Sequence, residues 1–254
     1  MPAWFKSFLF AVGLGRPLVW LRRRLDWRRR RDGRDNAGLQ RLLTASLRPD
    51  SNCIDIGANV GDTLGEITRL APKGRHYAFE PLPALADALG KRFPSVVVRQ
   101  VALADWSGQS PFVFVTSNPG YSGLKRRDYP GRQHTETIAV SVDRLDDCLD
   151  PDYHPDLVKI DVEGAELGVL RGAAQTLEQH RPLVVFEHGK GASDHYGTEP
   201  EDVYDLFSNL GYLIYDLDGQ GPYSRSLFRQ AFDSGRRWGF YACPGEAEEL
   251  AQGD

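Results

Sequence analysis

Carboxylates gathered at the ends of two apolar runs are the first candidates for proton chemistry in this chain. Residues 158–166 read V-K-I-D-V-E-G-A-E, and residues 182–188 read P-L-V-V-F-E-H. If both runs are parallel strands, Asp161 falls at the carboxyl end of one. Glu163 then begins the next helix, where the helix dipole favours a carboxylate. Glu187 and His188 fall at the carboxyl end of the adjacent strand. Three acids and an imidazole would converge on one crevice, and carboxylates crowded there repel, which raises at least one pKa toward the range useful for a general base. The same acids could instead hold a divalent cation that polarises a hydroxyl. Nothing in the spacing demands a metal, and none is assigned. The plainer alternative is that Glu163 and Glu166 only cap and solvate a helix start.

A second constellation lies upstream. Residues 53–63 read C-I-D-I-G-A-N-V-G-D-T. A short apolar run feeds a turn, and a helical stretch follows. Gly57 can adopt backbone angles closed to other residues and lets a ligand approach the main chain. Gly61 allows close packing at the helix start. The spacing is G-x-x-x-G, so the dinucleotide fingerprint G-x-G-x-x-G is absent. Asp55 precedes the first glycine by two residues. Glu80 ends the next apolar run, where an acid can accept hydrogen bonds from both hydroxyls of a ribose. S-adenosylmethionine matches this set. Its amino-acid tail carries an ammonium that needs an acceptor, and it has no pyrophosphate that would require a glycine-lined cradle. Asp105, in A-L-A-D-W-S-G, could reach an adenine edge or could cap the W-S-G turn. Each residue also has a plainer role: Asp55 fixing the loop, Gly57 ending a strand, Glu80 an exposed acid before Pro81.

The elements that must position these residues are legible as alternation. Strand-like runs at 52–57, 75–80, 95–103, 156–162, 182–188, 212–217 and 237–244 alternate with helical stretches at 39–47, 61–71, 82–93, 163–180 and 201–211. This predicts a doubly wound, mainly parallel α/β sheet of seven strands, which binds ligands beyond its carboxyl strand ends. P-F-V-F-V-T-S and T-I-A-V-S-V, within 111–142, read as an inserted β-hairpin. The loop between them, 117–135, carries Tyr121, Lys125, Arg126, Arg127, Tyr129 and Arg132. Aromatics suit sugar faces, and Arg suits phosphate or carboxylate. A solvated surface loop is the alternative.

Charge divides the chain unevenly. Residues 1–35 hold 10 Lys/Arg against 3 Asp/Glu, leaving 21 and 32 for the rest. The pattern divides the chain into a basic, partly apolar segment (1–38), a main domain (39–245) and an acidic tail (246–254). An acidic body argues against nucleic acid as partner. The leader places Trp4, Phe5, Phe8, Trp20 and Trp27 beside clustered arginines, which suits peripheral contact of residues 1–34 with an anionic membrane. Its apolar run is too short and interrupted to span a bilayer. Cys53, Cys148 and Cys243 form no disulfide framework or metal pair, consistent with a reducing cytoplasm.

Six segments in order resemble the FkbM family of methyltransferases: I-D-I-G-A-N-V-G-D-T (54–63), A-F-E-P (78–81), V-A-L-A-D-W-S-G (101–108), V-D-R-L-D-D (142–147), V-K-I-D-V-E-G-A-E-L-G-V-L-R-G-A (158–173), and the strand ending Phe186-Glu187. The resemblance covers about residues 50–190. It implies a class I, Rossmann-like methyltransferase fold and methyl transfer, usually to a hydroxyl oxygen of a sugar, glycolipid or natural product. It implies that Asp55, Gly57, Asn59, Gly61 and Glu80 hold S-adenosylmethionine and that Asp161 sits between cofactor and acceptor. Thr63, which closes the motif, is counted with them. Ala104 departs from the family, which often has serine there. Two rival readings remain: a nicotinamide-dependent oxidoreductase, which Asp55 and the missing G-x-G-x-x-G oppose, and a non-catalytic binding module at a membrane surface, which the retained acids and Gly57 oppose.

Overall fold

The computed structural model describes residues 27–129 and 131–245. The acidic tail at 246–254, and the part of the proposed membrane leader before Trp27, lie outside these residues. No helix among the described residues is long and apolar enough to cross a membrane.

Seven strands form the central sheet: β1 (Cys53–Ile56), β2 (His76–Phe79), β3 (Val96–Arg99), β7 (Leu157–Ile160), β8 (Leu183–Glu187), β9 (Tyr212–Asp216) and β10 (Gly239–Pro244). Their spatial order is β3-β2-β1-β7-β8-β10-β9. The pairings from β3 through β8 are parallel, and β10 runs antiparallel between β8 and β9. Chain order reverses between β1 and β7, which makes that junction the switch point where open α/β sheets bind ligands.

Register does the positioning. Ile56 pairs with Phe79 on one side and with Ile160 on the other, and Ile160 pairs with Phe186. These four bulky residues are buried in one row. Gly57, Glu80, Asp161 and Glu187 are the next residues on their strands, so they leave the sheet at one level.

Alternation divides the two faces of the sheet. Ile54, Ile56, Val158, Ile160, Val184 and Phe186 pack on the side of the helices Glu166–Gly172, Ala174–His180, Pro200–Asn209 and Arg225–Ser234. Cys53, Leu157 and Val185 face the other way, against Leu43 and Ile67 of the helices Trp27–Ser46 and Asp62–Leu70.

Four elements differ from the sequence expectation. The run 95–103 is two strands: β3 stays in the main sheet, a tight turn joins the Val101 N–H to the Arg99 carbonyl at 3.1 Å, and β4 (Ala102–Leu103) passes into a second sheet. That sheet has the order β4-β6-β5, with β5 (Gly108–Val115) antiparallel to β6 (Thr135–Asp143). The helix expected at 163–180 is broken at Ala173. Asp146 causes the second start: its carboxylate accepts from the Gln175 and Thr176 backbone N–H groups and from the Thr176 hydroxyl at 2.7–3.0 Å, capping a new helix from a distant element. The helix Arg225–Ser234 was not anticipated; Ser224 caps it by accepting from Leu227 N–H. Finally, the first helix runs unbroken from Trp27 to Ser46, across the expected boundary at 38. Asp35 is buried and accepts from Gly239 N–H at 3.3 Å, and a Cβ at Gly38 would run into the Leu217 carbonyl. The basic segment is therefore joined to the domain at its far sheet edge.

Asp35→Ala should test that junction. It strands the Gly239 N–H in a buried site, at an expected cost of about 1–3 kcal/mol. Urea denaturation reads the loss. A change below about 0.5 kcal/mol, as for an ordinary surface position, would mean the helix is not part of the cooperative unit.

Candidate active site

The turn after β1 is built on three left-handed positions, the last of them Gly61 at φ +83°. Gly57 has φ +75° and Asn59 has φ +49°. A Cβ on Gly57 would run into the Asp161 carbonyl, so glycine here allows β1 and β7 to close at their carboxyl ends. Asn59 donates its N–H to Glu80 Oε2 at 2.9 Å, and Leu82 donates to Glu80 Oε1 at 2.9 Å. Glu80 is thereby clamped across the turn. Burial pushes its carboxyl upward, while the two backbone donors pull it back. Each oxygen retains a lone pair for a ligand hydroxyl.

These residues line a cleft that is partly open to solvent. Phe79, Leu82, Val101, Leu103 and Phe112 provide an apolar wall suited to a flat ring. Asp161 and Glu163 close the end nearest β7. The Asn59 side-chain oxygen is buried and has no hydrogen-bond partner among the described residues, so it can accept from a cationic or hydroxyl group of a ligand. The roof comes from the inserted segment, through Pro119, Gly120, Ser122, Gly123 and Leu124.

Beneath the turn lies a residue that the sequence reading missed. Lys159 is buried in the middle of β7 and pairs across the sheet with Asp55. Its ammonium is 3.0 Å from Asp55 Oδ1, 3.2 Å from the Gly57 carbonyl and 3.5 Å from Asp161 Oδ2. Burial pulls its pKa down, but Asp55 and Asp161 more than offset this and hold the ammonium above its ordinary value. A lysine inside an apolar strand demands a partner, and that was the signal available. Asp55 is fully buried, is absent from the cleft wall and forms an ion pair with this lysine, while neither of its carboxylate oxygens has a hydrogen-bond partner among the described residues.

Glu163 adopts φ +59°, is partly buried, and forms an ion pair at 2.6 Å with Arg127 of the inserted loop. Burial pushes its pKa up, Arg127 pulls it back, and Asp161, Glu187 and Glu166 repel it. Arg127 also stacks over Tyr121 at 4.7 Å. The loop is fixed again where Lys125 N–H donates to the Tyr196 hydroxyl at 2.8 Å and Asp128 N–H donates to the Gly191 carbonyl. Glu166 does the capping: its Oε1 accepts from Val162 and Gly164 N–H. Glu163, one turn earlier in the chain, closes the roof instead.

Not every expected residue reaches the cleft. Glu187 ends β8 and repels Glu163 electrostatically, but it is not a wall residue. His188 points the other way, because successive strand residues face opposite sides of a sheet. It is buried between Phe228 and Phe232, with ring centroids 5.7 and 4.9 Å away. Burial lowers its pKa to about 4, and the imidazole stays neutral and away from the acids. Gly61 makes room for Leu89 and Phe93, which a Cβ would meet at 2.7 Å. Thr63 stands behind the turn, in the helix that begins at Asp62. Asp105 lies in the wall of a neighbouring cleft.

The model of the methyltransferase FkbM domain matches residues 55–214, from the β1 aspartate into β9. The chain belongs to this family. Among curated relatives, it is 30% identical over 182 residues to the hexuronic acid methyltransferase AglP of Haloferax volcanii, covering 70% of each chain. It is also 30% identical over 161 residues to the 2-O-methyltransferase NoeI of Sinorhizobium fredii, covering 56% of this chain and 65% of that one. The share of a relative's own length that the chain spans runs from 11% to 70%. A crystal structure of methyltransferase FkbM from Methylobacillus flagellatus superposes with a TM-score of 0.50 at 16% identity, covering 77% of this chain and 44% of that one. The FkbM chain thus has the α/β methyltransferase fold with a mostly parallel central sheet.

Buried Glu166 gives the family member a pH signature. Desolvation, partly offset by its backbone donors, raises its pKa from 4.5 to about 7. The folded state then binds the proton more tightly than the unfolded state, so this group's contribution to stability is full below about pH 4.5 and falls as pH rises through 7. The loss is on the order of 3 kcal/mol at most. Glu166→Gln keeps an acceptor oxygen but does not ionise, and should lose less stability than the wild type between pH 5 and pH 8. Parallel urea curves in the two proteins would show this protonation to be irrelevant.

Proposed function

We propose that this protein transfers the methyl group of S-adenosylmethionine to a hydroxyl oxygen of a sugar, a glycolipid or a natural product. The observation that carries the proposal is the levelled row of strand ends, which puts Asn59, Glu80 and Asp161 around one cleft. Glu80 would accept the ribose hydroxyls, the apolar wall would take the adenine, and the unpartnered Asn59 oxygen would meet the ammonium of the amino-acid tail. When bound, S-adenosylmethionine supplies an electrophilic methyl on a positively charged sulfur. The names of the relatives AglP and NoeI support a sugar acceptor and transfer to oxygen.

The chain's own contribution is placement and one proton. Asp161 is the cleft acid best placed to take the hydroxyl proton. Its side chain is 37% exposed, and Lys159 at 3.5 Å holds it from below. Glu163 is engaged by Arg127, and so works to keep the roof closed over the reacting groups. Water exclusion by that roof and alignment of the acceptor oxygen would supply much of the rate.

The expected compartment is the cytoplasm, which the three free cysteines support. Residues 1–34 would rest on an anionic leaflet; sedimentation with anionic but not neutral vesicles, weakened by salt, tests this.

Glu80→Ala should weaken S-adenosylhomocysteine about tenfold, as expected for one charge-assisted hydrogen bond. Asp161→Asn should keep that affinity while turnover drops by roughly 10²-fold, the lower range for a lost general base. Calorimetry and a methylation assay on an acceptor library measure the two effects. Binding of NADH but not S-adenosylhomocysteine would overturn the proposal. Full turnover in Asp161→Asn would move the base elsewhere.

A further inference from the structure

A second cleft adjoins the first, and no role assigned so far uses it. Leu124 of the roof and Ala165, two residues beyond Glu163, line both. The second cleft is open to solvent and encloses about 730 Å³. Three features mark its wall. Trp106 is 42% exposed, one of four large apolar side chains so exposed among the described residues. Lys125 and Arg171 are also exposed on this wall, and neither takes part in an ion pair among the described residues. Polar atoms of Asp105, Ser110, Tyr196 and Thr198 complete it.

This combination is unusual for the surface it occupies. Beyond residue 35 the chain carries 32 acidic residues against 21 basic ones. Most arginines elsewhere are matched, such as Arg75 with Asp150 and Asp152, or Arg229 with Glu199 and Glu201. Lys125 and Arg171 set two cations against the one carboxylate of Asp105 in this cleft, and the net positive charge, within an acidic body, attracts an anion. An exposed indole adds a flat face whose negative quadrupole attracts the weakly positive C–H groups of a pyranose. Lys125 is not adrift. Its ammonium lies 5.3 Å from the Tyr196 ring centroid, and its backbone N–H is fixed by the Tyr196 hydroxyl, so the cation is held at the rim.

We propose that the second cleft seats an anionic pyranose of the acceptor, with the ring on Trp106 and its acidic group between Lys125 and Arg171. The assignment deepens the proposed methyl transfer to a sugar and rests on it. The shared walls at Leu124 and Ala165 place this residue beside the end of the first cleft that Glu163 closes. Arg171 offers a planar fork to a carboxylate, and Lys125 offers a point charge.

The test uses the full chain and two glycosides, methyl β-D-glucuronoside and neutral methyl β-D-glucoside, followed by saturation-transfer difference NMR. The acidic glycoside should bind about tenfold or more tightly than the neutral one, the effect of one charge-assisted hydrogen bond. Arg171→Gln and Lys125→Gln should each remove most of that preference. Trp106→Ala should weaken both glycosides. All three variants should bind S-adenosylhomocysteine as the wild type does in calorimetry. Equal affinity for the two glycosides, no binding of either, or a preference unchanged by Arg171→Gln would overturn the assignment. A wild type that shows the acidic preference but does not bind S-adenosylhomocysteine would overturn the methyl-transfer reading and leave the anionic subsite standing. The converse would overturn the subsite alone.

Discussion

The cross-strand pair of Asp55 and Lys159 sits where the strand order reverses, and three separate features of the site hang from it. The pair joins β1 to β7 through side chains that alternation sends to the same face. The same ammonium bonds the Gly57 carbonyl and approaches Asp161. One buried cation therefore fixes the turn that carries Asn59, the approach of β7 that glycine makes possible, and the carboxylate facing the cleft. Breaking such a pair by removing one partner typically costs 3–5 kcal/mol, because the other charge stays buried. Neither residue needs to touch a ligand to matter for the chemistry.

Above that pair the site is assembled from chain segments far apart in sequence. Glu80 is held by two backbone donors and bridges the turn to the chain leaving β2. The insertion between β4 and β7 then folds over the top. Its second sheet has its own apolar core of Phe112, Val140 and Val142 with Leu82, so the roof is a packed element rather than a loose strap. Arg127 and Lys125 carry the roof to the far side of the cleft, onto Glu163 and Tyr196.

The sheet and the gathering of Gly57, Glu80 and Asp161 at one level were legible because both are local patterns. A strand, a glycine turn and an acid at the next strand end are read along the chain, and the register delivers them to one level. What failed required knowing which way a side chain points. Glu187 and His188 are neighbours in sequence, yet period-two alternation sends the histidine among phenylalanines. That conflict was available from the strand assignment alone. Lys159 was equally visible as a charge inside an apolar run. The partnership of Arg127 with Glu163 was not, since nothing in a Gly- and Arg-rich loop says where it docks. The boundary at residue 38 followed composition, and composition does not register that Asp35 is buried against β10. The split at 99–101 was hidden because both halves of the run are apolar.

The row formed by Ile56, Phe79, Ile160 and Phe186 separates inheritance from invention in this architecture. Below it lie packing and the Asp55–Lys159 pair, which can change only in concert, since each member of the row touches neighbours on two strands. Everything above it is attached by single residues to a level floor. Loops of very different length and chemistry can be grafted there without disturbing the register beneath. A lineage carrying this floor can therefore exchange one acceptor for another by rewriting the insertion between β4 and β7 and the segment after β8, while the grip on the donor stays the same.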